Sequence, residues 1–221
     1  MDIMKNKNFY LNLSKQEIAK IKQTNKRPTL LLHSCCAPCN SYVMIALSEH
    51  FDLTLLYNNS NIYPKTEYDI RLNELLDYTK DVNKKYNLNV KVLDSDYNSA
   101  SFHKKLSQHN DHREGGERCK KCFELRMDEA YKAALKHSFD YFTTVMTISR
   151  HKNSIVLNEI GEDLNKKYNS DIYFFSDFKK EEGQLKSKAI IDEYDMYKQE
   201  YCGCAFSYKD YLDRKQKDGK K

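Results

Sequence analysis

Short apolar runs alternate with longer helical periodicities from Pro28 to about Glu200, which predicts an α/β fold: one domain with a mainly parallel sheet of about five strands flanked by helices. Two further observations agree. The 221 residues contain no Pro/Gly/Ser-rich linker, so the chain suits one core rather than two. A thiol-rich heptapeptide, His33-Ser34-Cys35-Cys36-Ala37-Pro38-Cys39, directly follows the first apolar run. It therefore sits at the carboxyl edge of a strand, where open α/β sheets bind ligands. The expected organisation is an N-terminal arm and short helix over residues 1–27, an α/β catalytic domain over 28–208, and a charged C-terminal tail over 209–221 that frays.

Pro28 to Leu32 reads as a buried strand, and Tyr42 to Leu47 as a helix whose first turn suits Pro38. Leu53-Thr54-Leu55-Leu56-Tyr57 is the second strand and Asn58-Asn59-Ser60-Asn61 a polar loop. Pro64 opens a long helix carrying Tyr68, Leu72, Leu75, Leu76, Val82 and Tyr86 near a 3.6-residue period, before a third strand at Val90 to Leu93. His109 to His112, followed by Gly115-Gly116, reads as a mobile loop that suits a lid and an ordinary solvated loop equally. A helix from about Cys119 to Lys136 puts Cys119 and Cys122 on one side of its first turn. Tyr141 to Val145 is a fourth strand, Ile172 to Phe175 a fifth, and a helix near Lys186 to Glu200 delivers Tyr201-Cys202-Gly203-Cys204.

The net charge of +5 permits a nucleic-acid partner without demanding one. The polar start, Met1 to Tyr10, is no secretory signal, and no apolar stretch approaches the roughly 18 residues of a membrane span. A cytoplasmic protein without a membrane partner is expected, with reduced thiols and disulfides unlikely to form a framework. All seven cysteines fall in three groups: Cys35, Cys36 and Cys39; Cys119 and Cys122; Cys202 and Cys204. Four thiolates complete a tetrahedral zinc site or a [4Fe–4S] cluster. Seven exceed the need of one zinc, and Cys-Gly-Cys is not finger spacing; four cluster ligands plus three around a second metal account for all. The adjacent Cys35 and Cys36 are expected to point in different directions and so to serve two centres. A thioredoxin-like dithiol would not need the further thiols, and the loop from Ser34 to Cys39 lacks the glycines that close on a nucleotide phosphate.

The sequence resembles the cobalamin-independent epoxyqueuosine reductase family, also called QueH, from about Thr29 to Ser207. The resemblance rests on linked motifs: His33 to Cys39; Asn61-Ile62-Tyr63-Pro64 with Glu67, Tyr68 and Arg71; Glu114 to Phe123; Thr147 to Asn153; Asp177 to Lys180 with Gly183; and Gln199 to Ser207. Ser60, Arg150 and Lys186 depart from the family's pattern. The resemblance implies reduction of the epoxide of epoxyqueuosine at the tRNA wobble position, two electrons and two protons entering and water leaving. It also implies a [4Fe–4S] cluster, an adjacent mononuclear metal expected to be iron, and a fold related to the adenine-nucleotide hydrolase (HUP) superfamily.

On that basis Cys36, Cys119, Cys122 and Cys204 are expected on the cluster, and Cys35, Cys39 and Cys202 on the lone metal, which would act as a Lewis acid at the epoxide oxygen. An external low-potential donor would supply electrons. His33, His151 and Tyr201 are the candidate proton donors, although a hydrogen bond that orients a ligand suits His33 better and plain packing suits His151 and Tyr201 equally well. Arg71, Arg118, Arg126, Lys152, Lys179 and Lys180 are expected at the rim against tRNA phosphates, and Tyr57, Tyr63 or Phe123 stacked on the splayed base. The rivals are an iron–sulfur tRNA thiolase, which needs ATP, and a non-catalytic zinc-stabilised nucleic-acid-binding module.

Overall fold

A computed structural model of the chain describes residues 7–109 and 114–218. Its sheet holds four parallel strands, β1 (Thr29–His33), β2 (Asp52–Tyr57), β3 (Lys91–Asp94) and β4 (Tyr141–Thr144), in the order β3-β2-β1-β4. Central β1 pairs Leu31 with Thr54 on one side and with Phe142 on the other. Its side chains alternate between two cores. Leu30 and Leu32 pack with residues of α2 (Ala37–Ser48), α3 (Lys65–Tyr86) and α7 (Gly183–Glu193), while Leu31 packs with α5 (Glu117–Lys136) and α6 (Ser154–Tyr168). Helices on both faces explain why the strand is apolar without alternation.

The chain runs outward from β1 to β2 and β3, then returns to place β4 on the other side of β1. The crevice between the carboxyl ends of β1 and β4 is therefore the topological switch point, the ligand-binding position of such sheets. The thiol-bearing loop after β1 and the 3-10 turn η1 (Val145–Ile148) after β4 both open there.

The expected fifth strand is reduced to a bridge between Phe142 and Tyr173. Phe142 N–H donates to Ile172 C=O at 2.7 Å and Phe174 N–H to Phe142 C=O at 2.8 Å, but the neighbouring amides turn to side chains: Tyr173 N–H to Asn165 Oδ1 and Ser176 N–H to Asn158 Oδ1. Side-chain partners have replaced the ladder. Helix α7 also ends earlier than the expected Glu200: Asp195 takes φ of 46° and Met196 N–H closes on Ile191 C=O, which turns the chain so that Met196 enters the core. Two short helices, α1 (Phe9–Gln23) and α4 (Ser99–Leu106), complete the elements before α8 (Ala205–Asp218), so the residues from Lys209 to Asp218 continue a helix rather than fray. No helix among the described residues is long and apolar enough to cross a membrane.

The loop between α7 and α8 is tied to the sheet by one buried cation. Arg71, 2 % exposed, pairs through Nε with Glu67 Oε1 at 2.7 Å and donates to the carbonyls of Tyr201 and Cys202 at 3.1 and 3.2 Å. Glu67 Oε2 in turn accepts the Tyr197 hydroxyl at 2.9 Å. Gly203 has φ of 121°, and a Cβ there would lie 3.1 Å from Arg71 Nη1, so the turn admits little else. Removing one partner of a buried ion pair strands the other. Arg71→Ala should therefore cost about 3–5 kcal/mol of unfolding free energy in urea titrations, and Arg71→Lys should recover only part of it, since an ammonium cannot match the planar fork.

Candidate metal centre

Three segments deliver sulfur to the switch point. After β1, Ser34 N–H donates to Leu56 C=O at 2.9 Å, Asn59 Nδ2 to Ser34 C=O at 2.8 Å, and Asn40 Nδ2 to Cys36 C=O at 2.8 Å, which fixes the loop as α2 begins. The sulfurs of Cys35, Cys36 and Cys39 all lie within 4.8 Å of one another, and those of Cys35 and Cys36 are 3.7 Å apart. The adjacent pair thus does not diverge as expected. Two thiolates on one tetrahedral metal at about 2.3 Å stand roughly 3.8 Å apart, so this spacing suits metal ligation. Hydrogen bonds from Cys36 and Cys39 hold the Cys35 thiol well below its ordinary range, while donating to Cys35 pushes Cys36 up to about 12 and Cys39 well above normal. The trio shares one negative charge, as a metal-ready donor set does.

The second group stands on the first turn of α5, where Gly115 N–H donates to Cys119 Sγ at 3.3 Å. Burial raises the thiols of Cys119 and Cys122, the latter to about 12, and the charges of Cys202 and Cys204 add to the rise at both. Cys204 Sγ accepts from Ser207 N–H at 3.4 Å at the start of α8. All seven cysteines are free thiols.

Cys35, Cys39 and Cys202 open onto a cavity of about 600 Å³. Arg126, 3 % exposed, lines it with Nη2 donating to Asn59 Oδ1 at 2.6 Å, Nη1 facing Met146 Sδ at 3.5 Å and a buried Nε that has no partner among the described residues. Burial would lower Lys152, but the charges of Cys202, Cys35 and Cys39 outweigh it and lift the ammonium to about 12. Cys35, Cys39 and Cys202 beside Arg71, Arg126 and Lys152 fit an anionic thiolate-held metal or iron–sulfur group: the donors suit the metal and the cations offset its ligands' charge.

Several expected residues fall elsewhere. Arg71, Arg118 and Arg126 are buried instead of standing on the rim, Arg118 lying 4.1 Å over the Phe206 ring. Cations this deep serve the centre and the fold before they can meet a phosphate. Tyr57 is fully buried with its hydroxyl donating to Tyr68 C=O at 2.9 Å, and Phe123 packs half-buried against the α5–α6 core, so neither is free to stack on a base. Tyr63 is 45 % exposed beside Tyr208. His33 is fully buried; Nδ1 bonds Thr144 Oγ1 at 2.8 Å, Nε2 has no partner among the described residues, and burial keeps the ring well below the usual histidine range. His151, Lys152 and Tyr201 line the cavity, the Tyr201 hydroxyl donating to Tyr63 C=O at 2.7 Å. Lys179 Nζ donates to Lys152 C=O at 2.8 Å, and it and Lys180 are half-buried outside the lining. Of the expected lid, Asn110, Asp111 and His112 lie outside the described residues.

Sequence reasoning missed one whole wall. Helix α8 presents Asp210, Asp213, Arg214 and Lys217 to the cavity, a spacing of three to four that was legible as a helix face. It also left Asn61 and Gln199 without a role, although both line the cavity with an amide oxygen that has no partner among the described residues.

Comparison with known proteins agrees with this geometry. The family model described as epoxyqueuosine reductase QueH matches residues 30–210. A curated protein of that name from Staphylococcus aureus is 39% identical over 92% of this chain and 86% of its own length. Those from Streptococcus pyogenes, 38% identical over 88% of this chain and 76% of the relative, and Haemophilus influenzae, 34% identical over 92% and 85%, match similarly.

Proposed function

The chain belongs to the epoxyqueuosine reductase QueH family, and on that footing we propose how its residues carry out the reaction. It is an oxidoreductase of tRNA modification. The substrate is tRNA carrying epoxyqueuosine at the wobble position, and its epoxide is reduced by two electrons and two protons to the alkene of queuosine, with loss of water. The observation that carries this function is the cation-lined cavity at the switch point onto which Cys35, Cys39 and Cys202 open, with Cys119 and Cys122 within electrostatic reach of Cys202 and Cys204.

A [4Fe–4S] cluster with a neighbouring metal, expected to be iron, would supply single electrons from an external low-potential donor and Lewis acidity at the oxygen. Cys36, Cys119, Cys122 and Cys204 would hold the cluster and Cys35, Cys39 and Cys202 the lone metal. The division is favoured because Cys35, Cys39 and Cys202 are the sulfurs that open on the cavity, where substrate must reach an open coordination position. The mutual closeness of Cys35, Cys36 and Cys39 favours a second arrangement, in which these three hold the lone metal and Cys202 joins the cluster. Cys202→Ser separates the two. Loss of only the lone metal, with the cluster's visible absorbance retained, supports the first; loss of the cluster's colour supports the second.

His151, exposed on the cavity wall, would deliver a proton to the leaving oxygen, and Lys152 would neutralise charge there. His33, buried and bonded to Thr144, would hold the end of β1 in register with the loop. Tyr63, exposed and accepting the Tyr201 hydroxyl at its carbonyl, is the one expected stacking residue that would be open to a base. Lys152, Lys179 and Lys180 would face the RNA backbone together with Arg214 and Lys217.

Wild-type protein isolated without oxygen should hold about four to five irons per chain if four thiolates carry a cube and three a single ion, and should convert epoxyqueuosine-containing tRNA when given a reductant, read by nucleoside mass analysis. One zinc and no colour would indicate the binding module instead. Affinity for tRNA should fall steeply with salt, and Arg214→Ala and Lys217→Ala should each weaken binding and flatten the slope of log K against log salt by about 0.7–1.

A further inference from the structure

We infer that Gln199 is a two-ended positioning residue: its amide NH2 holds the Cys36 sulfur, and its carbonyl oxygen receives a hydroxyl or N–H donor of the substrate nucleoside. The inference rests on the function proposed above and adds to it a residue that ties the substrate pocket to a metal ligand. Gln199 Nε2 lies 3.6 Å from Cys36 Sγ. A metal-bound thiolate accepts and cannot donate, so the amide must turn its nitrogen to the sulfur, which orients the other end as well.

That other end is Oε1, buried and without a partner among the described residues, on a side chain that lines the cavity. A buried acceptor left unpaired is costly unless a ligand completes it. Asn61, 2 % exposed, also lines the cavity and carries a second buried amide oxygen with no partner among the described residues. Unpartnered acceptors on lining residues suit a donor-rich ligand, such as the hydroxyls and N–H groups of a nucleoside, better than an anion.

Gln199 also stands between the two regions it would join. Cys36 is fully buried and does not reach the cavity, whereas Gln199 does. Its backbone is pinned on both sides, by Met196 in the core and by the Arg71 contacts with Tyr201 and Cys202. The N–H donors to Cys119 and Cys204 come from the backbone of Gly115 and Ser207. Gln199 is therefore the side chain through which an N–H bond to sulfur can be removed cleanly. Such bonds stabilise the more negative, reduced state of an iron centre and raise its potential.

The test uses Gln199→Leu and Gln199→Glu, each reconstituted without oxygen to wild-type iron content. The reduction potential is followed by electron paramagnetic resonance without substrate, and KM is measured with epoxyqueuosine-containing tRNA. Neither variant has an N–H for the sulfur at neutral pH, so both should titrate at a lower potential than wild type. KM should rise about tenfold in Gln199→Leu and much less in Gln199→Glu, which keeps an oxygen toward the cavity. If Gln199→Leu does not retain iron, Gln199→Met, unbranched and likewise without an N–H, takes its place. Unchanged potentials in both variants overturn the sulfur contact, and an unchanged KM in Gln199→Leu overturns the substrate contact. Wild-type protein that holds iron but does not convert the tRNA would refute the proposed function and the carbonyl's role with it, while the potentials still decide the contact with Cys36. Wild-type protein that binds no iron refutes both.

Discussion

The buried guanidinium of Arg71 is the constraint on which the site depends. Two of the three thiol groups come from elements built into the sheet's flanks, the start of α2 and the start of α5. The third comes from an irregular loop between α7 and α8 with no ladder to fix it. Arg71 supplies that fixing by holding the carbonyls of Tyr201 and Cys202 from helix α3, and Glu67 neutralises it where water cannot. Its ring neighbour is Tyr201, 5.6 Å away, so the same cation sets both the peptide path and one wall of the cavity. A lysine in this place would provide charge without three directions of donation, which is why the interaction is geometric before it is electrostatic.

Electrostatics then explains what the cavity can hold. One thiolate is shared over Cys35, Cys36 and Cys39, because each further proton removed in that burial would set like charges within 4.8 Å of one another. A bound metal removes the conflict, and binding must release the protons that Cys36 and Cys122 keep to about 12. Arg126 and Lys152 supply positive charge from the other side, Arg126 mostly through neutral partners. Burial, with the charges of Arg126 and Lys152 adding to it, depresses His33, so the ring is suited to a structural hydrogen bond.

Much of this was legible in the residues. The unbroken Leu30-Leu31-Leu32, the alternation of strand and helix, and the grouping of all seven cysteines are local patterns, and local patterns survive folding. The fifth strand is cut to a bridge because Ile172 to Phe175 has the composition of a strand but the amides of Tyr173 and the following Ser176 are claimed by Asn165 and Asn158, side chains whose reach cannot be read from spacing. Arg71, Arg118 and Arg126 were read as rim cations for a similar reason: arginine is usually exposed, and only tertiary partners such as Glu67, Phe206 and Asn59 justify burying it. The charge-rich segment after Ser207 reads as a tail when only apolar periodicity is sought, because the face it turns to the cavity carries charges at helical spacing and no apolar side chain.

The floor and the mouth of the cavity are consequently under different constraints. Every cysteine, and Arg71, Arg126, Lys152 and Gln199 with them, lies inside the stretch of 30–210 that matches the family. A sulfur cannot move by more than a few tenths of an ångström without losing its metal, and the residues that aim the sulfurs inherit that tolerance. Asp213, Arg214 and Lys217 lie past residue 210, exposed on the last turns of α8. Charges there act on a polyanion through several ångströms of solvent, where position matters little and net sign matters most. On the proposed function, the chemistry would be held by short-range geometry at the floor, while a grip on RNA by the α8 charges would be adjustable without disturbing it.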